Sequence, residues 1–247
     1  LTESQLRYST GLDTGFAIML SLPGDKHLES QIFNYIYSMQ NRNIRQASGG
    51  RKQQIIIIPI KRLELIVTTP LLEEKIGALL REKGMKLTLA ESCTGGLIGH
   101  RVTNIPGSSD YYLGSLTAYA YEVKESLLGV KHETLQIHGA VSRQCVLEMA
   151  SGVRRALAGG FPLDKVIGVS VSGIAGPGGG MPGKPVGTVW IGLSAGDGNY
   201  AWKFNWQGDR IHNKEDSAEA ALTLVWLYLR GKLPSEALSG QEAIQGA

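Results

Sequence analysis

Hydrophobic and polar positions along this chain switch between two periods, and the switches mark out a series of amphipathic helices and short strands. Thr69 reads as an N-cap with Pro70 at the first helical position. Leu72, Ile76, Leu79 and Leu80 then recur at helical spacing and predict a helix that ends near Gly84. Lys86-Leu87-Thr88-Leu89-Ala90 is a short apolar run and predicts a buried strand. After a turn, Leu97, Ile98 and Val102 restore the helical period, and this helix runs to about Asn104 before Pro106-Gly107 breaks it. Tyr112 to Ala120 predicts a strand, Glu122 to Leu128 a short helix, and Gly139-Ala140-Val141 a loop. Ser142 is placed to cap an amphipathic helix whose Val146, Met149, Val153 and Leu157 face a core. Lys165 to Val171 predicts a buried strand, and Gly187 to Ser194 with Tyr200 to Trp206 a hairpin pair. Gly208-Asp209-Arg210 opens a last long helix with Ala218, Ala221, Leu222, Val225 and Leu229 inside. Strands interleaved with helices, plus one hairpin, predict an α/β fold with a mixed sheet covered on both faces.

The first 66 residues lack this regularity. Gly15 to Leu22 reads as a strand stopped by Pro23-Gly24, Ile32 to Met39 as a helix, and Ile55-Ile56-Ile57-Ile58 as a strand stopped by Pro59, with a polar, basic stretch from Asn41 to Gln54. The expected organisation is therefore a truncated or linker-like segment at 1–66, a main domain at 67–234 and a tail at 235–247. A start at Leu1 rather than Met fits a fragment of a longer protein. Charge follows the same division. Residues 1–66 hold 8 Lys/Arg and 5 Asp/Glu and residues 67–247 hold 17 of each, so the net +3 (8 − 5 = 3) belongs to the first segment. An electrically neutral main body argues against nucleic acid as a partner. No apolar run reaches membrane-spanning length, so no membrane is expected. Two cysteines, Cys93 and Cys145, make neither a disulfide framework nor a metal knot, which points to a reducing, cytoplasmic home.

Candidate chemistry concentrates in Glu91-Ser92-Cys93-Thr94-Gly95-Gly96, between the buried strand and the next helix. Free backbone N–H groups and a positive dipole end collect at such a turn, which can hold an anion. Two nucleophiles, Ser92 and Cys93, share it, so one element can offer both attack and oxyanion stabilisation. The plainer alternative is that Ser92 and Thr94 cap a helix and the glycines only turn the chain. A second turn, Ser172-Gly173-Ile174-Ala175-Gly176-Pro177-Gly178-Gly179-Gly180, offers backbone amides and close approach to a ligand. The five histidines, His27, His100, His132, His138 and His212, are scattered, none at metal-ligand spacing, so no metal is expected. Neither a phosphate-binding G-x-x-x-x-G-K-[ST] nor a dinucleotide-binding G-x-G-x-x-G is present.

Nothing nominates a histidine to activate Ser92. The other route is a lysine kept neutral by burial, and Lys124 is the candidate, at the point where an apolar, aromatic strand turns into a helix. Tyr119, at the end of that strand, is placed to donate to the same site or relay a proton from it. The competing readings are a solvated lysine at a helix start and a cysteine that merely packs.

The run Ala90-Glu91-Ser92-Cys93-Thr94-Gly95-Gly96, then Pro106-Gly107-Ser108-Ser109, Tyr119 and Lys124, resembles the nicotinamide-nucleotide amidohydrolase family, the C-terminal domain of competence/damage-inducible CinA proteins. The likeness continues through Gly139-Ala140-Val141-Ser142, Ser172 to Pro177, Lys184 to Val189 and Gly208-Asp209-Arg210, collinear over about residues 70–232. It implies a three-layer α/β/α sandwich with a mixed β-sheet that hydrolyses the carboxamide of nicotinamide mononucleotide to nicotinate mononucleotide and ammonia, without a cofactor. It also implies a Ser–Lys pair at Ser92 and Lys124, with Tyr119 and Ser109 beside it and Arg210 suited to the phosphate. The expected substrate-binding residues are Cys93, Thr94, Gly95 and Gly96 of the first turn, Ser172, Gly173, Ala175 and Gly176 of the second, and Arg210. The expected partners are this small-molecule substrate and further copies of the chain in a homo-oligomer. Two other readings stay open: a non-catalytic module associated with competence or DNA damage, and a hydrolase of another nucleotide-like amide or ester.

Overall fold

The computed structural model describes residues 6–9, 17–20, 71–235 and 241. The chain divides into two compact units, residues 1–69 and 70–247. In the first, β1 (Leu6–Ser9) pairs antiparallel with β2 (Ala17–Leu20), Leu6 opposite Leu20 and Ser9 opposite Ala17. β2 falls within the strand expected over Gly15–Leu22. The helix expected at Ile32–Met39, the strand at Ile55–Ile58, and Thr69 with Pro70 lie outside the described residues. So does the 235–247 tail, apart from Ser235 and Gln241.

The second unit runs α1 (Leu72–Lys83), β3 (Lys86–Glu91), α2 (Leu97–Thr103), a 3-10 turn (Ser108–Asp110), β4 (Tyr112–Thr117), α3 (Tyr121–Leu128), α4 (His132–His138) and α5 (Arg143–Ala156). It continues with a 3-10 turn (Leu163–Lys165), β5 (Val166–Gly173), β6 (Thr188–Ser194), β7 (Asn199–Asn205) and α6 (Arg210–Leu229). One five-stranded sheet has the order β4-β3-β5-β6-β7. β4, β3 and β5 are parallel, because helices cross between them, and the β5-β6 and β6-β7 pairs are antiparallel. Strand pleating sorts the side chains into two cores. Leu87 and Leu89 of β3 and Ile167, Val169 and Val171 of β5 pack with Ile76 and Leu80 of α1 and with Leu222 and Val225 of α6. Ala90 of β3 packs on the other face with Leu128 of α3 and with Met149 and Val153 of α5. The result is a three-layer α/β/α sandwich.

The two faces differ in side-chain size, and the difference positions the site. Under α5 the sheet carries small residues. A Cβ on Gly168 would lie 2.2 Å from the carbonyl oxygen of Ala150, and one on Gly192 would lie 2.6 Å from that of Val146. Between them Ser170 Oγ donates to the Val146 carbonyl at 2.6 Å. The α5 backbone therefore rests directly on the sheet. It is approached just as closely from outside, since a Cβ on Gly152 would lie 1.9 Å from the Leu128 carbonyl oxygen at the end of α3. Tight packing at this spot fixes where α3, and the lysine it carries, can sit.

Local signals set most element ends. α1 stops at Gly84, left-handed at φ 62°. Ser142 Oγ caps α5 by accepting from the Cys145 N–H at 3.2 Å, and Asp209 caps α6 by accepting from Ile211 and His212 at 2.9 and 3.0 Å. Three expectations need correction. β4 ends at Thr117 rather than Ala120, because the chain leaves the sheet to turn the Ala118 and Tyr119 carbonyls toward Lys124. α4 was not anticipated: its seven residues, set between Gly129 and Gly139, bury only Thr134 and Leu135, too little for a visible stripe. Ser92 and Thr94 do not cap α2; Glu91 does, as described below. Among the described residues no helix is long and apolar enough to cross a membrane.

Gly152→Ala should lower unfolding free energy by roughly 1–3 kcal/mol, the range for forcing a methyl into a packed core. Gly160, where an added Cβ would meet nothing within 4 Å, is the control. Gly160→Ala should change stability by less than about 0.5 kcal/mol. Urea unfolding of both variants checks this, and equal midpoints would show that α3 can yield.

Candidate active site

Side chains of β3 alternate between the faces, and the alternation carries past its end. Glu91 follows Leu87 and Leu89 onto the side of α1, α2 and α6. Ser92 follows Thr88 and Ala90 onto the side of α3 and α5. The chain stays against the sheet here, as the Ser92 N–H donates to the Val171 carbonyl at 3.0 Å. With Glu91 paired to Val171, Ser92 stands level with Ser172 of β5. The consecutive residues Glu91 and Ser92 thus have separate tasks.

Glu91 is fully buried and saturated. One oxygen accepts from the Gly96 and Ile98 amides at 2.9 and 3.2 Å, the other from the Gly99 amide at 2.9 Å. The open anion site expected at the start of α2 is therefore filled by the protein's own carboxylate, and the dipole end is neutralised from within. This corrects the expected role of two amides. Gly96 N–H is committed to Glu91, and Gly95 N–H donates to the Ser92 carbonyl at 3.1 Å. The Cys93 and Thr94 amides remain, their only acceptor among the described residues being the Cys93 sulfur, a weak one.

Ser92 is 7% exposed and Lys124 1%. Lys124 Nζ lies 3.2 Å from Ser92 Oγ and donates to the Ala118 and Tyr119 carbonyls at 2.7 and 2.9 Å. It has no carboxylate partner among the described residues. Burial lowers its pKa from the ordinary lysine value, and the only opposing influences are the two cysteines. A neutral amine has two N–H donors and one lone pair. With both donors spent on the two carbonyls, such an amine would turn its lone pair to the Ser92 hydroxyl. Cys93 has the opposite environment. Its thiol joins the core on the α1 side, and burial, the largest cause, pushes its pKa up to about 12. It stays a thiol at neutral pH, and only its backbone faces the turn. Cys145 is likewise raised by burial, to about 11.

Beyond Tyr119, Arg210 at the start of α6 donates to the Gly176 carbonyl at 2.6 Å and to the Tyr119 hydroxyl at 3.4 Å. The Tyr119 ring is 63% exposed, and its hydroxyl meets Arg210 rather than Ser92 or Lys124. Its backbone carbonyl, not its phenol, serves the lysine. Asn213, 1% exposed, ties the same region together by donating to the Ala175 carbonyl and accepting from the Gly208 amide, both at 3.0 Å. Within the second turn Gly173 lies against β6, where a Cβ would come 2.4 Å from Val189 Cγ2. Gly176 is left-handed at φ 93°.

Ser92, Lys124, Ser172, Tyr119, Gly176 and Arg210 thus gather at the C-terminal edge of the parallel strands. Ser109 does not. It lies in the 3-10 turn before β4, and Tyr112 of β4 pairs with Leu87, five residues before Ser92. At about 3.3 Å per strand residue the level of Tyr112 is roughly 16 Å from Ser92, so Ser109, which precedes Tyr112, lies toward the opposite end of the strands. Glu91 and Asn213 were missed as site residues. Alternation along β3 could have placed Glu91 beneath the helix that follows, whereas nothing local marked Asn213. Among the described residues no group of three His, Cys, Asp or Glu side chains could hold a metal ion.

A model of the CinA C-terminal domain family matches residues 70–229. The chain is 49% identical over 151 residues to a CinA-like protein of Salinibacter ruber, covering 61% of this chain and 35% of that protein. It is 47% identical over 169 residues to a CinA-like protein of Chloroherpeton thalassium, covering 65% of this chain and 38% of that protein. The chain thus spans little more than a third of the length of these relatives. Among solved structures it resembles a competence-damaged protein (CinA) superfamily protein of Klebsiella pneumoniae, with TM-score 0.60 and 32% identity over 65% of this chain and 96% of that one. A competence/damage inducible protein of Agrobacterium tumefaciens gives TM-score 0.58 and 34% identity over 64% and 95%. With the family model and these structures covering the same α/β/α unit that carries Ser92 and Lys124, the chain belongs to the CinA C-terminal domain family.

Proposed function

We propose that this domain is a serine–lysine amidohydrolase that converts nicotinamide mononucleotide to nicotinate mononucleotide and ammonia. The observation that carries the chemistry is the buried Lys124 amine, without a counter-ion among the described residues and 3.2 Å from Ser92 Oγ. The likeness of the surrounding motifs to nicotinamide-nucleotide amidohydrolases supports the choice of substrate. Lys124 takes the Ser92 proton as Oγ bonds to the carboxamide carbon. The oxyanion that forms is met by the Cys93 and Thr94 amides; losing such a donor typically costs about 3–4 kcal/mol of barrier. The C–N bond then breaks, and the Lys124 ammonium returns the proton to the leaving nitrogen, releasing ammonia. Water, deprotonated by the same amine, hydrolyses the ester to regenerate Ser92. Arg210 fits the nucleotide phosphate.

Ammonia release from nicotinamide mononucleotide by the purified chain is the direct test. Ser92→Ala and Lys124→Arg should each reduce turnover roughly a thousandfold or more, the second because a guanidinium stays protonated. Cys93→Ala should retain turnover within several-fold. Loss in Cys93→Ala with survival of Ser92→Ala would transfer the chemistry to sulfur, and near-normal turnover in Lys124→Arg would reduce Lys124 to an electrostatic neighbour.

The lowered Lys124 pKa has two pH signatures. Activity needs the neutral amine, so kcat/KM should rise with pH and level off below the ordinary lysine value of 10.5. Stability has the same sign. Between the folded pKa and 10.5 the unfolded chain binds a proton that the folded chain does not, so this contribution is present above 10.5 and is lost as pH falls through the folded value. Lys124→Met should therefore be inactive yet more heat-resistant than wild type. Its Tm advantage should be largest at low pH and shrink toward pH 10.5. A Tm difference that does not change with pH would mean that the amine is charged in the folded protein.

A further inference from the structure

Arg210, Asn213, Lys214 and Ser217 follow one another on α6 at spacings of three, four and seven residues from Arg210 and so share one side of the helix, with Asn213 and Ser217 buried, Lys214 half-buried and Arg210 exposed. Two of them are consumed inside the fold. Asn213 holds the Ala175 carbonyl and the Gly208 amide, while Ser217 Oγ accepts from Trp206 Nε1 at 2.9 Å and donates to the Asn213 carbonyl at 2.6 Å. Lys214 is not consumed. It is half-buried, and its ammonium reaches over the turn after β3. A Cβ on Gly95 would find Lys214 Nζ at 4.0 Å and nothing nearer. On Gly96 it would meet only the Thr117 hydroxyl, at 3.8 Å. Lys214 Nζ makes no hydrogen bond or ion pair among the described residues, and the carboxylate beneath the turn, Glu91, is saturated by three amides. Glu215 and Asp216, the next positions on α6, are exposed.

An ammonium is thus held over bare glycine backbone, one helical turn from a guanidinium that also lacks a carboxylate partner. Like charges four residues apart on a helix repel, and an anion between them removes that penalty. A phosphate monoester carries close to two negative charges at neutral pH, its second pKa being about 6, so one cation leaves it half-neutralised. We infer that Lys214 is the second cation of a phosphate subsite. With Arg210 it holds the dianionic phosphate of a ribonucleotide on the outer side of the Gly95–Gly96 backbone, where the absence of side chains permits close approach and, both amides being committed inside the fold, the two cations supply the charge. This inference rests on the nucleotide reading of the site, and it assigns the phosphate to the first glycine turn rather than the second.

The full chain carrying Lys214→Met or Lys214→Arg is compared with wild type on nicotinamide mononucleotide and on nicotinamide riboside, which lacks the phosphate. Ribose 5-phosphate and ribose serve as binding probes independent of turnover, read by titration calorimetry. In Lys214→Met the preference for mononucleotide over riboside should fall about tenfold to a hundredfold, carried by KM, and ribose 5-phosphate binding should weaken by a similar factor. Lys214→Arg should keep both within about threefold. Equal losses on the two substrates, or wild-type preference and wild-type ribose 5-phosphate binding in Lys214→Met, would overturn the subsite. So would a wild-type chain that does not distinguish ribose 5-phosphate from ribose. If wild type binds ribose 5-phosphate through Lys214 yet releases no ammonia, the subsite stands and the amidase reading falls. If it releases ammonia regardless of Lys214, the reverse holds. Should Lys214→Met fail to fold, Lys214→Gln carries the same comparison.

Discussion

The contact on which the site depends is the seating of α5 directly on the sheet. Helices normally stand off a sheet by the thickness of a layer of side chains, but here Gly168, Ser170 and Gly192 remove that layer, and Val146 and Ala150 bring their carbonyls onto the strands. Gly152 then lets the Leu128 carbonyl press onto α5 from outside. Two successive close approaches draw α3 in toward the strands. Lys124, one turn before Leu128, consequently arrives below the surface rather than in solvent. Larger residues at these glycines would push α3 outward and wet the amine.

Around Ser92 two ionisable groups have opposite fates on opposite sides of one strand. Glu91 is buried with three amides, those of Gly96, Ile98 and Gly99, pointing at its carboxylate. Lys124 is buried with only neutral oxygens to bond, so its charged form is the disfavoured one. An unpaired buried charge is costly, and a group with nothing to pair with moves its pKa instead. The same logic separates the two candidate nucleophiles. Cys93 turns into the apolar core, where a thiolate is unsupported, while Ser92 turns toward the Lys124 amine.

Charge around this pair is asymmetric. α6 carries Arg210 and Lys214, neither matched to a carboxylate among the described residues, while Glu91 is locked beneath the turn by three amides. Gly95, Gly96 and Gly176 adopt positive φ, a conformation that disfavours any side chain at these positions. Two cations without a carboxylate partner among the described residues thus lie near a buried amine whose charged form is disfavoured.

Much of this was legible in residues close together along the chain. Helical spacing in 72–80 and in 146–157, the Ser142 and Asp209 caps, the stop at Gly84 and the hairpin of β6 and β7 are local matters of propensity and periodicity. Elimination on the sequence nominates Lys124 beside Ser92, since no histidine is at hand and an aromatic, apolar run surrounds the lysine, but a solvated lysine at a helix start stays open until the family resemblance pairs the two. What needed three dimensions was everything set by which face a residue turns to and which end of the sheet it occupies. Ser109 carries a plausible motif yet sits before a strand whose far end is the site, and no spacing reveals that separation. Glu91 stands beside Ser92 in sequence but points the other way, and it fills the anion site that the glycine turn advertised. Tyr119 contributes its carbonyl instead of its phenol because β4 ends three residues sooner than its hydrophobicity implies. Local sequence dictates conformation through short-range sterics and hydrogen bonds. The pairing of Ser92 with Lys124, thirty-two residues apart, is decided by how closely glycine allows one helix to approach the sheet and another to approach that helix.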